Sequence, residues 1–160
     1  VFGQSNGVPC ITCDGNKIDF TKGASAIGTQ NQSTGINSLA VGYQSKALGN
    51  YAFTAGYKNN ALGDYAIALG KTANAIGDRS IAMGLLSEAN GNSSLAIGPY
   101  TKTNSSALVS VAFGSRVTAA VQRSMAIGFG LSDNPIENNI TNSLIEKEER
   151  VLKKVAIYMC

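Results

Sequence analysis

The sequence predicts an all-β solenoid in which short parallel strands stack coil upon coil. Three observations predict it. Glycine recurs at every seventh residue, a short apolar run precedes each glycine, and the pattern closes into a 14-residue unit present in eight copies. The glycines fall at Gly28, Gly35, Gly42, Gly49, Gly56, Gly63, Gly70, Gly77, Gly84, Gly91 and Gly98, and the series resumes at Gly114 and Gly128 after a two-residue insertion. The copies begin at Ala24, Ser38, Ala52, Ala66, Ser80, Ser94, Ser110 and Ser124.

Each copy reads small, large apolar, small, apolar, Gly, four mixed positions, Ala, apolar, Gly and two turn-like positions, as in SLAVGYQSKALGNY from Ser38. Runs of this length suit strands, whereas a helix is weakened by a glycine at every seventh position. Gly-Asn and Gly-Asp follow the second run at 49–50, 63–64, 77–78 and 91–92, and such pairs form turns because they tolerate positive φ. One copy therefore makes one coil of two short strands. Coils stacked at about 4.8 Å give a rod of roughly 38 Å for eight copies. The copies from Ser94, Ser110 and Ser124 lose the second-half glycine, so the array decays toward its C-terminal end. The insertion near Thr103–Val109 is expected to bulge from the regular surface.

Composition removes other classes. Hydrophobic residues reach 44% and charged residues only 14%, the opposite of a disordered chain. Collagen needs glycine at every third residue, and calcium-binding nonapeptide arrays need a G-G-x-G-x-D motif that is absent here. A net charge of +3 without a basic, aromatic-interleaved run argues against nucleic acid as a partner. No apolar stretch approaches the roughly 18 residues of a membrane helix, so no membrane contact is expected within this segment. Val1–Gln4 carry neither a basic n-region nor an apolar h-region, and the expectation is that any signal peptide has been removed or was never included in this sequence.

Catalysis is not expected. The chain has no histidine, no P-loop and no G-x-G-x-x-G, and its ten carboxylates are scattered, with no pair recurring at a spacing that suggests a site. No cofactor and no metal are expected. Cys10 and Cys13 form a lone C-x-x-C, whereas a structural zinc site needs four ligands. A disulfide, local or between chains, in an oxidising compartment is the expectation for Cys10 and Cys13, with Cys160 left over.

The first strand of each copy is apolar on both faces: Leu39 and Val41 on one side, Ala40 on the other, and likewise Ile67 and Leu69 against Ala68. A strand apolar on both faces is buried on both. A two-strand coil has one thin interior and covers one face of each strand, so the other must meet another chain. The small side, Ala26, Ala40, Ala68, Ala82, Ala96, Ala112 and Ala126, lets backbones approach closely. An obligate oligomer with a continuous apolar seam is expected.

Residues 1–23, carrying the C-x-x-C, and 131–145, asparagine-rich and neck-like, lie outside the repeats of 24–130 and are the expected caps of the open strand edges. Residues 146–160 are charged, glycine-free and helix-prone. Together with Ile145, Leu152, Val155 and Met159 lie near heptad spacing, so a short C-terminal helix is expected there.

The pattern S-h-A-h-G-x-x-x-x-A-h-G at period 14, over residues 24–130, resembles the YadA-like head repeat of trimeric autotransporter adhesins. The resemblance implies a homotrimeric, left-handed parallel β-roll, followed in the family by a neck, a coiled-coil stalk and a membrane β-barrel anchor. It also implies an extracellular, bacterial cell-surface location and attachment to host matrix or other surfaces. Some family heads bind collagen through N-S-V-A-I-G-x-x-S, and Asn37-Ser38-Leu39-Ala40-Val41-Gly42-Tyr43-Gln44-Ser45 is similar to it. Neither the C-x-x-C segment nor the tail beyond Leu144 matches the family pattern. On this reading the candidate ligand contacts are Asn37 and Ser38 with the outer positions Tyr43, Lys46, Tyr57, Lys58, Lys71, Arg79, Tyr100 and Lys102. The alternative is a structural subunit of an extracellular filament or phage tail fibre, in which the roll serves as a spacer.

Overall fold

The computed structural model describes Gly3–Ser5, Val8–Cys10, residues 15–130 and Ile136–Asn138. Within these residues the chain is an all-β solenoid of parallel strands with two sheets facing each other across a narrow interior. The longer strands form an eight-stranded sheet that runs through Ser25–Thr29, Leu39–Tyr43, Phe53–Tyr57, Ile67–Lys71, Ile81–Leu85, Leu95–Ile97, Val111–Ser115 and Met125–Phe129. The shorter ones, such as Lys46–Ala47, Asn60–Ala61 and Asn74–Ala75, form a nine-stranded sheet. Register follows the repeat: Ile67 pairs with Ile81, Ala68 with Ala82 and Gly70 with Gly84.

Two flanking segments join the stack. Lys17–Ile18 pairs with Gln32–Ser33, and Ile136–Asn138 pairs with Val117–Ala119, so the shorter sheet extends beyond the repeats at both ends. Gly3–Ser5 and Val8–Cys10 form an antiparallel pair, the second strand of which lies beside Ser25–Thr29. Cys10 ends that strand, while Cys13, Cys160 and the helix expected over 146–160 lie outside the described residues.

The interior is built from small side chains. Ala40, Ala68, Ala82, Ala96 and Ala112 from the longer strands face Ala47, Ala61, Ala75 and Ala89 from the shorter ones, all inaccessible to solvent. Among the described residues the largest fully buried apolar side chain is Val117. Facing sheets this close leave no room for leucine or phenylalanine. The alanine side of each long strand is therefore the inside of the coil, and the large apolar side points out. The third of the four mixed positions also turns inward: Asn31, Ser45, Asn59, Ala73, Ser87, Thr101 and Val117 are all buried.

The two glycine rows share close approach to the next coil but differ in backbone conformation. Gly42, Gly56, Gly70 and Gly84 have φ between 111° and 133°, a conformation that L side chains avoid. The alternate row, Gly35, Gly49, Gly63, Gly77 and Gly91, lacks positive φ, as do Asn50, Asp64, Asp78 and Asn92 after it. This corrects the expectation that the Gly-Asn and Gly-Asp pairs supply positive φ. The left-handed residue is the next one: Tyr51, Tyr65, Arg79 or Ser93, with φ of 55–58°. The second-row glycines serve coil-to-coil approach alone, since a Cβ on Gly49 would overlap the carbonyl oxygen of Gly63, just as one on Gly42 would overlap that of Gly56.

Left-handed backbone costs a non-glycine residue about 1–2 kcal/mol, so something must hold it. From Asn37 onward each such N–H donates to the turn before it: Tyr51 to the Ile36 carbonyl at 2.7 Å, Lys58 to Tyr43 at 2.8 Å and Tyr65 to Asn50 at 2.7 Å. The insertion is absorbed at residues 104–109. There the Ala107 N–H donates to the Asn104 carbonyl at 2.9 Å, and Ser105, Ser106, Leu108 and Val109 are exposed.

The buried Ser80 hydroxyl has no hydrogen-bond partner among the described residues, and Ala66 holds the equivalent place one coil earlier. An unpaired buried hydroxyl is destabilising, so Ser80→Ala is expected to raise stability by about 1 kcal/mol in denaturant titration. A loss of stability would show that the hydroxyl is satisfied in solution.

Candidate binding surface

Every coil turns two corners, and these, with the outer faces of the two sheets, display the side chains a partner can meet. At the first corner the chain leaves a long strand through a positive-φ glycine, then places one residue outward and the next in left-handed conformation. Because coils stack in register, each corner position becomes a row along the solenoid. Tyr43, Tyr57 and Lys71 occupy successive places in one row. The rings of Tyr43 and Tyr57 stack with centroids 5.4 Å apart and planes 17° from parallel. The Lys58 ammonium lies 5.2 Å from the Tyr57 centroid and that of Lys71 5.8 Å from it. Four of the residues expected from the sequence thus come together. Further along the same corner Tyr100 lies under the Arg116 guanidinium at 4.8 Å, a partner that sequence reasoning missed.

The second corner carries a polar ladder. The Ile36 N–H donates to Asn50 Oδ1 at 3.0 Å, the Asn50 N–H to Asp64 Oδ1 at 2.8 Å, the Asp64 N–H to Asp78 Oδ1 at 3.1 Å, and the Asp78 N–H to Asn92 Oδ1 at 3.1 Å. Side chains at this position thus satisfy backbone donors of the coil before, which is why Asn and Asp recur there. Beside the ladder Tyr51 and Tyr65 stack at 4.9 Å, with Arg79 next in the row. Neither tyrosine was among the expected contacts, although their 14-residue separation after Gly-Asn and Gly-Asp was the available signal.

Other expected residues separate. Ser38 is 2% exposed, and its hydroxyl donates to the Gly35 carbonyl at 2.9 Å and shares a 2.7 Å hydrogen bond with Ser33. It belongs to the packing and offers the surface nothing. Asn37 is exposed and left-handed, with its side-chain oxygen lying against Gly23. Lys46 is exposed at the start of a short strand. Lys102 is engaged, its Nζ 2.9 Å from Glu88 Oε2. Near the N-terminal end the Thr21 hydroxyl donates to Asp19 Oδ1 at 2.6 Å, and that bond, followed by Lys22, holds the Asp19 carboxyl below its ordinary pKa.

The outer face of the longer sheet is a third surface. Its side chains are large and apolar: Leu39, Val41, Phe53, Ile67, Leu69, Ile81, Met83 and their equivalents onward. Most are half-buried, and the most exposed lie toward the C-terminal end of the array, with Phe113 at 48%, Met125 at 58% and Ile127 at 61%.

A family model described as YadA head domain repeat matches residues 22–45, 33–53, 55–73 and 75–101. No curated protein matches the chain. The matched residues form successive coils of the solenoid, and the same stacking continues past them through Val111–Ser115 and Met125–Phe129. The family model thus detects YadA head domain repeats in the coils between residues 22 and 101 of this chain.

Proposed function

We propose that this chain is the head of a homotrimeric, cell-surface adhesin: a rigid, non-enzymatic rod that displays its corner side chains for attachment to host matrix or other surfaces. The observation that carries the proposal is the inverted distribution of apolar residues. The interior is filled with alanine, serine and threonine, while Leu39, Phe53, Leu69, Phe113 and Ile127 stand outside it. A contiguous row of this kind marks an interaction face. Covering it with two further copies supplies the burial that the thin interior cannot, at about 25 cal/mol per Å² of apolar surface removed from water. The YadA head repeats support both the trimer and its extracellular location. Three chains in one rod present each corner three times, which strengthens attachment through avidity.

Analytical ultracentrifugation tests the assembly. A trimer is expected at micromolar concentration, and Leu69→Asp, which places a carboxylate in the seam, is expected to weaken association at least tenfold. A folded, stable monomer of the unmodified chain would overturn the proposal. Electron microscopy tests the form: discrete short rods are expected, and end-to-end fibres would replace the adhesin head with a filament subunit.

A further inference from the structure

The described charges are segregated. Asp64 and Asp78 sit in the second-corner ladder, Glu88 is paired with Lys102, and Asp19 is engaged by Thr21 and Lys22. The first corner, by contrast, carries Lys58, Lys71 and Arg116 with no carboxylate among its described residues. Its cations rest on tyrosine rings rather than on acids, so their charge is not neutralised. Lys58 and Lys71 stand on successive coils beside Tyr57, and after Leu85, Leu86 and Pro99 the stripe resumes with Arg116 over Tyr100, so its charges are all of one sign and stand beside phenol hydroxyls. Such a stripe selects an acidic partner.

The ring geometry narrows the class. Tyr43 covers one face of Tyr57, and Lys71, from the coil on the other side, lies over the opposite face. A single-stranded nucleic acid gains its affinity from bases stacked on open aromatic faces, and here both faces of Tyr57 are taken. What Tyr57 leaves outward is its ring edge and hydroxyl, and beside it stand amides such as those of Gln30 and Gln44 and a small number of cations. That set suits a polymer rich in hydroxyl groups and sparse in charge. The coil repeat of about 4.8 Å is also close to the length of one sugar residue in an extended chain.

We infer that the first corner is a binding track for an acidic polysaccharide, one bearing uronate or sulfate groups, lying along the solenoid across successive coils. The inference rests on the adhesin reading and names its ligand class. Tyr57 orients Lys58 and Lys71, and the ammonium groups meet the anionic substituents.

Binding of heparin and hyaluronan to the intact protein, measured by calorimetry with dextran as the neutral control, tests it. At least one acidic chain is expected to bind with an affinity that falls as salt rises, and dextran is not. The pair Lys58→Glu and Lys71→Glu is expected to weaken binding at least tenfold while Lys17→Glu, on the exposed flanking strand before the repeats, leaves it within about twofold. Tyr57→Leu, which keeps the charges but removes the ring that holds them, is expected to weaken it several-fold. Each variant is checked for unchanged melting temperature and sedimentation. Folded trimers that bind neither acidic chain, or bind equally after Lys58→Glu and Lys71→Glu, overturn the inference and leave the adhesin reading standing. Tighter binding of a thymidine oligonucleotide in competition with heparin would overturn it in favour of nucleic acid. A folded monomer in the same sedimentation run would instead remove the adhesin reading.

Discussion

Gly63→Ala is expected to destabilise the solenoid by about 3 kcal/mol or more, although it adds a single methyl group to a residue with ordinary backbone conformation. Gly63 is buried without positive φ, so the penalty does not come from a left-handed backbone. It comes from space: the new Cβ would overlap the carbonyl oxygen of Gly77, with the Asp78 nitrogen close behind. Overpacking costs about 1–3 kcal/mol when side chains can move aside. Here the obstacle is backbone, held by the Leu62 N–H on the Ala75 carbonyl at 2.8 Å and the Asp64 N–H on Asp78 Oδ1 at 3.1 Å. Relieving the overlap means separating two coils and losing these bonds. Denaturant titration, or a fall in melting temperature of roughly 6–12 °C, is the measurement. A change below about 1 kcal/mol would show that the corner yields more easily than its hydrogen bonds indicate. The array itself bears on the point. Where the row next carries alanine, at Ala107, the chain has also acquired the two extra residues that reroute that corner.

Asn59→Ala is expected to cost about 2–3 kcal/mol, through lost hydrogen bonds rather than lost volume. The Asn59 amide donates to the Ala55 carbonyl at 2.7 Å and to the Gly70 carbonyl at 2.9 Å, and its oxygen accepts from the Ala73 N–H at 2.8 Å. One buried side chain therefore ties the end of its own long strand to the coil that follows. The next coil has Ala73 in the same place, so the variant would leave two successive coils without a side-chain tie. Asn59→Asp is expected to be worse at neutral pH, because a buried carboxylate would face two carbonyl oxygens. Asn59→Ser is expected to cost least, since Ser45 fills that position one coil earlier with its hydroxyl on the Gly56 carbonyl at 3.3 Å. Thermal unfolding of the three variants gives the order. A neutral Asn59→Ala would mean that the coil-to-coil backbone ladder carries the corner without this tie.

Much of the solenoid could be read before any coordinates. The seven-residue beat carries the strand lengths, the turn spacing and the coil, because only a chain that returns to the same place every 14 residues needs the same small residue there each time. Tyr43, Tyr57, Lys58 and Lys71 could be read as outward because they stand among mixed polar positions. Yet those four-residue blocks look uniformly polar in the sequence, and Asn31 and Asn59 lie within them. Their burial was not legible, since a polar residue turns inward only when backbone groups wait there for it, and those groups belong to another coil. Ser38 was misplaced for the same reason. The Arg116–Tyr100 contact was hidden differently: the residues are 16 apart rather than 14, because the insertion lies between them.

By itself the sequence determined the period, the two-strand coil and the presence of apolar residues on both faces of each long strand, all properties of spacing and side-chain chemistry along one chain. The tertiary structure decided which face is inside. Two sheets held one short coil apart leave a gap that alanine fills and leucine cannot enter, so the large residues are left outside. It also showed why both glycine rows must be glycine: each lies against a carbonyl of the next coil, and one row has positive φ as well. The shared requirement depends on which atoms stacking brings together, and no single repeat contains both of them.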